Sequence, residues 1–191
     1  MEHNDKKIIN DVLLGKTHSF KIIVEKYENM LFDLSLRLTG NMQESEDIVQ
    51  KSFIKAYRNL DKYKQDYKFS NWIYTIALNL IKNHLRHRKV IRFLSLDFKP
   101  KEENLFEIED KSAVPERKME QEDFSKTLQT AIGDLPSKLK EVFTLHYLHE
   151  KDLASVGNIC GLSQNAVRLR LMRARNIIYG KIKTDFPQSL K

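Results

Sequence analysis

The residues best equipped for chemistry in this chain are arginines, asparagines and aromatic rings rather than a nucleophile with its base. Between Ala166 and Lys183 stand Arg168, Arg170, Arg173, Arg175, Lys181 and Lys183 without one acid, and Lys82 to Arg92 carries Lys82, Arg86, Arg88, Lys89 and Arg92, again without one. The 191 residues have a net charge of +7, so these two stretches, holding eleven positive charges, leave the remainder at −4. Segregation of this kind fits a polyanionic partner, because a merely solvated helix face intersperses Glu and Asp among its bases.

The C-terminal stretch has a legible geometry. Val167, Leu171, Ala174 and Ile178 recur at helical spacing and define an inner side, which turns Asn165, Arg168, Leu169, Met172, Arg173 and Asn176 to the other. Ser163 stands where a helix cap belongs, after the tight turn Cys160-Gly161-Leu162-Ser163 and a short helix expected over Lys151 to Asn158. Two helices about a glycine-containing turn, the second dense in arginine, read as a helix-turn-helix. In that motif Arg binds guanine with two hydrogen bonds and Asn or Gln binds adenine, which assigns Gln164, Asn165, Arg168 and Arg173 to the major groove. Arg170, Arg175 and Lys181 suit phosphates, which position a protein without reading sequence.

A second constellation lies in the N-terminal half. Thr75, Asn79, Lys82, Asn83 and Arg86 form a polar stripe opposite the apolar positions Trp72, Ile73, Ile76, Ala77, Leu80, Ile81 and Leu85, and Tyr63, Tyr67 and Phe69 come just before it. Rings stack on exposed bases and cations follow the backbone, so these are materials for holding unpaired nucleotides. Trp72 falls on the apolar stripe and is assigned to the core. One helix earlier, Asp47, Gln50, Lys51 and Ile54 share an outer face, where a single isoleucine among polar residues is either a solvated side chain or the centre of a protein contact.

Catalysis has little to work with. His84 with His87 and His146 with His149 are spaced three apart, but no carboxylate or cysteine completes a ligand set beside either pair. There is no phosphate-binding glycine loop, nucleophile elbow or H-E-x-x-H. The expectation is therefore no enzyme, no metal and no cofactor. Cys160 stands alone and cannot form an internal disulfide; the N-terminus lacks a secretory pattern, and no apolar run approaches the roughly 18 residues of a membrane span. These features predict a cytoplasmic protein that does not enter membranes.

Helices must position these residues. Six glycines and four prolines are few for an all-β chain of this length, and the apolar periodicity predicts an all-α fold. Phe20, Ile23, Val24, Tyr27, Leu31, Leu34 and Leu38 mark one helix ending at Gly40. Asn41 with Glu44 opens a second, carrying Ile48, Val49, Ser52, Phe53, Ala56, Tyr57 and Leu60, and the Trp72 stripe makes a third. Between Ile91 and Lys118 the periodicity fails and Glu102, Glu103, Glu107, Glu109 and Asp110 cluster between Pro100 and Pro115, the composition of a flexible acidic tether. The predicted organisation is a first helical domain over 1–92, a linker over 93–118 and a second small helical domain over 119–191.

Three ordered motifs, E-D-I-V-Q-K-S-F-I-K-A-Y-R-N-L from Glu46, K-F-S-N-W-I-Y-T-I-A-L-N-L-I-K-N-H-L-R from Lys68 and N-A-V-R-L-R-L-M-R-A-R from Asn165, resemble the extracytoplasmic-function sigma factors of the sigma-seventy family. The likeness runs from about Phe20 to Lys183. It implies a transcription initiation factor that binds core RNA polymerase, selects promoters and helps melt them. By that resemblance Asp47, Gln50, Lys51 and Ile54 dock on the polymerase clamp helices. Tyr63, Tyr67, Phe69, Asn79, Lys82, Asn83 and Arg86 meet the melted minus-ten strand. Gln164, Asn165, Arg168, Leu169, Arg170, Met172, Arg173 and Arg175 meet the duplex minus-thirty-five element. An inhibitory anti-sigma partner is common in the family. Lys51 and Asn83 stand where many members carry Glu and Asp, which implies altered tuning at both surfaces. Gly157 stands where members continue with a good helix former, and glycine there weakens a helix by about 1 kcal/mol relative to alanine.

The competing reading is a stand-alone helix-turn-helix repressor or activator on a palindromic duplex. It accounts for the C-terminal half and leaves the aromatic loop and the Asp47, Gln50 and Ile54 face without a role.

Overall fold

Residues 2–64, 66–94 and 115–185 are described by the computed structural model, and every regular element among them is helical. Helix α2 (Phe20–Thr39) buries Phe20, Ile23, Tyr27, Leu31, Leu34 and Leu38 along one side, as its periodicity predicts. It stops where Gly40 adopts a left-handed φ of 73° and returns its N–H to Leu36. Asn41 then caps α3 (Met42–Arg58) by accepting the Glu44 N–H at 2.9 Å. Ile48, Val49, Phe53 and Ala56 of α3 close over α2, and α4 (Phe69–Leu94) completes the first core with Ile73, Ala77 and Ile81. Each fully buried Leu or Ile here contributes about 1.5–3 kcal/mol relative to an exposed one.

The periodicity read from Phe20 onward omits one helix. Segment Glu2–Leu13 forms α1, which buries Ile8, Ile9 and Val12 against this core. Asp5 pins it: only 3% exposed, it accepts the Tyr27 hydroxyl at 2.7 Å and pairs with Lys26. Burial, and then the hydrogen bond to Asp5, push the Tyr27 hydroxyl up, so it remains a donor. Short 3-10 turns at Thr17–Ser19 and Leu60–Lys62 join these elements.

The second unit starts with α5 (Pro115–Gly133) and α6 (Ser137–Phe143), followed by a π-helical turn, Thr144–Leu148. Glu150 has φ 52°, a left-handed residue that lets the chain reverse before α7 (Leu153–Cys160) and α8 (Gln164–Asp185). Helix α7 begins two residues later than the sequence predicts, because Asp152 is its cap: its carboxylate accepts the Ser155 N–H at 2.8 Å. That hydrogen bond holds the Asp152 carboxyl below its ordinary range. Ala131, Leu135, Phe143, Ala174, Ile178 and Ile182 form a small core of the second unit alone.

The tether expected over 93–118 falls largely outside the described residues, since α4 continues to Leu94 and α5 begins at Pro115. The two units also share apolar ground. Val142, Leu145, Val156, Ile159, Val167 and Leu171 belong to the same contiguous cluster as the core of the first unit. Helix α7 packs on α4, while α6 and the π turn pack on α2, which removes this apolar surface from water.

Candidate nucleic-acid and polymerase interfaces

The helix-turn-helix is built from local rules. Gly161 takes a left-handed φ of 68° at the end of α7, and its N–H donates to Gly157. Ser163 caps α8 by accepting the Ala166 N–H at 3.2 Å. Val167, Leu171 and Ala174 are buried, so Gln164, Asn165, Arg168, Leu169, Met172, Arg173 and Arg175 are exposed and Arg170 is half-buried. Arg168 donates to Asn165 at 3.2 Å, one turn earlier, which aligns the two side chains on the exposed face. Lys181, assigned by the sequence to phosphate, pairs with Asp134 just beyond α5 in a solvent-exposed contact.

On α4 the exposed residues Asn79, Asn83 and Arg86 form the predicted polar stripe, with Arg86 donating to Asn83 at 3.0 Å. Lys82, on the same stripe, is taken up by Glu141 at 3.0 Å. Two of the rings expected to stack on bases are instead core residues. Phe69 is 3% and Tyr63 8% exposed, and they pack edge to face on each other at 5.2 Å, with Tyr27 and Trp72 at 5.4–5.7 Å from one or the other. An edge-to-face cluster of this kind is worth about 0.5–1.5 kcal/mol per pair beyond its burial. Of the three predicted rings, only Tyr67, 60% exposed, offers its face to solvent.

Beside Tyr67 lies a cleft of about 320 Å³ lined also by Lys62, Tyr63, Lys64, Asn71, Trp72, Thr75 and Asn158, so Tyr63, although largely buried, contributes to its wall. Its size suits a single planar ring. The apolar stripe of α4 assigns Trp72 to the core, which it packs against from the cleft wall, and gives no role to Asn71 or Asn158. Asn71, Thr75 and Asn79 recur at i, i+4 and i+8, which was the available signal. Thr75 spends its hydroxyl on the Asn71 carbonyl at 2.8 Å.

On α3 the face Asp47, Gln50, Lys51, Ile54 is open to solvent. Ile54 is 52% exposed, and Asp47 and Lys51 pair with each other one turn apart. The paired histidines do not gather ligands. His84 lies 2.9 Å from Glu44, which also receives Arg88, and His149 sits between Tyr74 and Asp33. Among the described residues no group of three or more His, Cys, Asp and Glu could hold a metal ion, and no helix is long and apolar enough to cross a membrane.

A helical protein whose last two helices form an arginine-faced helix-turn-helix, with a second polar and aromatic face on another helix, has the form of a DNA-binding transcription factor. Comparison with known proteins makes this specific. Residues 23–90 match the family model for sigma-70 region 2, and residues 125–178 match that for sigma-70 region 4. The chain is 32% identical over 185 residues to the ECF RNA polymerase sigma factor SigW of Bacillus subtilis, covering 96% of this chain and 99% of that one. It is 30% identical over 183 residues to the RNA polymerase sigma-H factor of Pseudomonas aeruginosa, covering 93% of each. The sigma factor RpoE of Bartonella quintana, solved with the anti-sigma factor NepR, shares the fold with a TM-score of 0.69 at 19% identity, over 87% of this chain and 98% of that one. The chain belongs to the sigma-70 family, in its extracytoplasmic-function class, and is a transcription initiation factor that binds core RNA polymerase and promoter DNA.

Proposed function

We propose a residue-level division of labour for this factor. Asp47, Gln50, Lys51 and Ile54 form the polymerase-docking face, with Ile54 as its apolar centre. Asn79, Lys82, Asn83 and Arg86, together with the Tyr67 cleft, hold the melted minus-ten strand. Gln164, Asn165, Arg168, Leu169, Met172 and Arg173 read duplex DNA at minus thirty-five, while Arg170 and Arg175 hold phosphates. The chain performs no covalent step and works in the cytoplasm beside the polymerase that does. An anti-sigma factor is its regulatory partner, as NepR is for the Bartonella quintana factor.

The observation carrying this reading is the exposure of Arg168, Leu169, Met172 and Arg173 on one face of α8, with Val167, Leu171 and Ala174 holding the opposite face in the protein. Docking is tested by Ile54→Ala. A well-packed apolar anchor at an interface costs about 1–2 kcal/mol when truncated, so core polymerase should bind this variant roughly ten-fold more weakly in a titration with purified components. Binding equal to that of the unaltered chain would remove the α3 face from the account.

A further inference from the structure

Asp5 of α1 and the Tyr67 cleft lie at the two ends of one contiguous set of contacts. The Asp5 carboxylate receives Lys26 through one oxygen and, at 2.7 Å, the Tyr27 hydroxyl through the other. Asp5 and Tyr27 are each 3% exposed, so water does not stand in for either partner. A carboxylate leaves water only where cations or hydrogen bonds accompany it, and a buried hydroxyl without an acceptor costs more than no hydroxyl at all. The two groups therefore fix each other, and with them the setting of the Tyr27 ring.

That ring meets Phe69, the first residue of α4, edge to face at 5.7 Å. Phe69 packs in turn on Tyr63 at 5.2 Å and on Trp72 at 5.5 Å, and Tyr63 and Trp72 lie 5.4 Å apart. Tyr63 and Trp72 are both walls of the cleft. The Tyr63 hydroxyl donates to the Tyr67 carbonyl, and the Tyr67 N–H donates to the Lys64 carbonyl at 3.2 Å, which ties down the backbone that carries the exposed ring. Helix α1 also touches the Leu60–Lys62 turn and α4 directly. A close-packed interior leaves none of these rings room to move alone, so a shift at Tyr27 is passed along the cluster.

We propose that Asp5 and Tyr27 are positioning residues for the minus-ten strand: α1 sets the Tyr27 ring, and Phe69, Tyr63 and Trp72 carry that setting to the walls that receive an unpaired base. This rests on the role proposed for the Tyr67 cleft. Both residues are buried and act only through the cluster. A platform for a base holds its affinity when its own rings are locked by packing beneath it, and a small displacement there weakens binding. Helix α1, which carries none of the faces assigned to DNA or polymerase, thereby takes part in promoter recognition.

Trp72 is the single tryptophan of the chain, so its emission reports on this cluster. In the free chain, Asp5→Ala and Tyr27→Phe should each shift that emission and raise its quenching by acrylamide. Asp5→Asn, which keeps an acceptor for the hydroxyl, should stay close to the unaltered chain. Binding is read with the chain on core polymerase, using a mapped promoter fragment whose minus-thirty-five element is duplex and whose minus-ten segment is single-stranded. Asp5→Ala and Tyr27→Phe should weaken this binding several-fold, leave binding to the minus-thirty-five duplex alone unchanged, and cost nothing more when added to Tyr67→Ala. Tyr27→Phe keeps the ring and its apolar packing, so the test stands even where Asp5→Ala fails to fold. An unmoved Trp72, no loss on the single-stranded fragment, a loss shared equally by the duplex, or a loss that adds in full to that of Tyr67→Ala would overturn the inference. No loss from Tyr67→Ala itself would overturn the role given to the cleft, and the inference with it.

Discussion

Gly157 and Leu162 are in backbone contact across the turn of the helix-turn-helix. The Leu162 N–H donates to the Gly157 carbonyl at 2.8 Å, and a Cβ placed on Gly157 would stand 2.7 Å from the Leu162 carbonyl oxygen. Glycine lowers helix propensity here, yet the turn can close this tightly only because no side chain intervenes. Backbone cannot yield as a flexible side chain does, so the steric term outweighs the propensity term.

Gly157→Ala should therefore destabilise the chain by about 1–3 kcal/mol, the range for overpacking, although alanine favours helix by about 1 kcal/mol. Thermal or urea unfolding measures it. A stabilised variant would show that the turn relaxes freely and that the residue is a simple weak point.

Arg168→Ala and Arg175→Ala should differ in kind. Loss of a bidentate base contact at Arg168 should cost about 1–3 kcal/mol on the preferred minus-thirty-five sequence and little on others, whereas loss of a phosphate contact at Arg175 should weaken all sequences alike and reduce the salt slope by about one. Fluorescence titrations of a mapped promoter and a scrambled duplex at several salt concentrations distinguish the two. Uniform losses in both variants would remove Arg168 from base reading.

Asp33 predicts an acid limit. Burial alone would raise its carboxyl, but hydrogen bonds and charge from His149 and Arg37 together bring it below the ordinary range. A carboxyl lowered in the folded state contributes stability that is present above its unfolded value, near 3.9, and is lost as pH falls through the folded value. The His149 contact between the two units should therefore loosen below about pH 4. Energy transfer between the units, followed from pH 6 to 2.5, should fall in that window, and Asp33→Asn should remove part of the transition. A profile identical in the variant would exclude Asp33 as a contributor.

Cys160 should be a slow thiol. Burial, and then the nearby Glu141 charge, push it up to about 11, with Lys82 and Arg170 opposing only in part. At pH 8 its thiolate fraction lies about 100-fold below that of an ordinary cysteine, and alkylation should be slowed at least that much relative to a short peptide thiol. Labelling at the peptide rate would show an open thiol and contradict the packed arrangement.

Features governed by neighbours in sequence were readable in advance. The α2 and α3 stripes, the Asn41 and Ser163 caps and the left-handed Gly40 and Gly161 each depend on residues within a turn or two. The missed features depend on distant partners. Tyr63 and Phe69 have the composition of a stacking platform, and what makes them core is Tyr27, some 40 residues earlier. Lys82 and Lys181 read as free cations until Glu141 and Asp134 arrive from other helices. Helix α1 carries a sparse apolar stripe, and its anchor, Asp5 on Tyr27, reads in sequence as one more surface acid.

Transcript-start mapping with purified core polymerase, this chain and genomic DNA tests the central claim most directly. The account predicts a limited set of starts that require the chain and share one motif near minus ten and another near minus thirty-five. It also predicts that Ile54→Ala depletes all of these starts, whereas Arg168→Ala changes their ranking. Starts that are the same with and without the chain, or occupancy of a two-fold symmetric duplex by the chain alone with no effect on initiation, would contradict it.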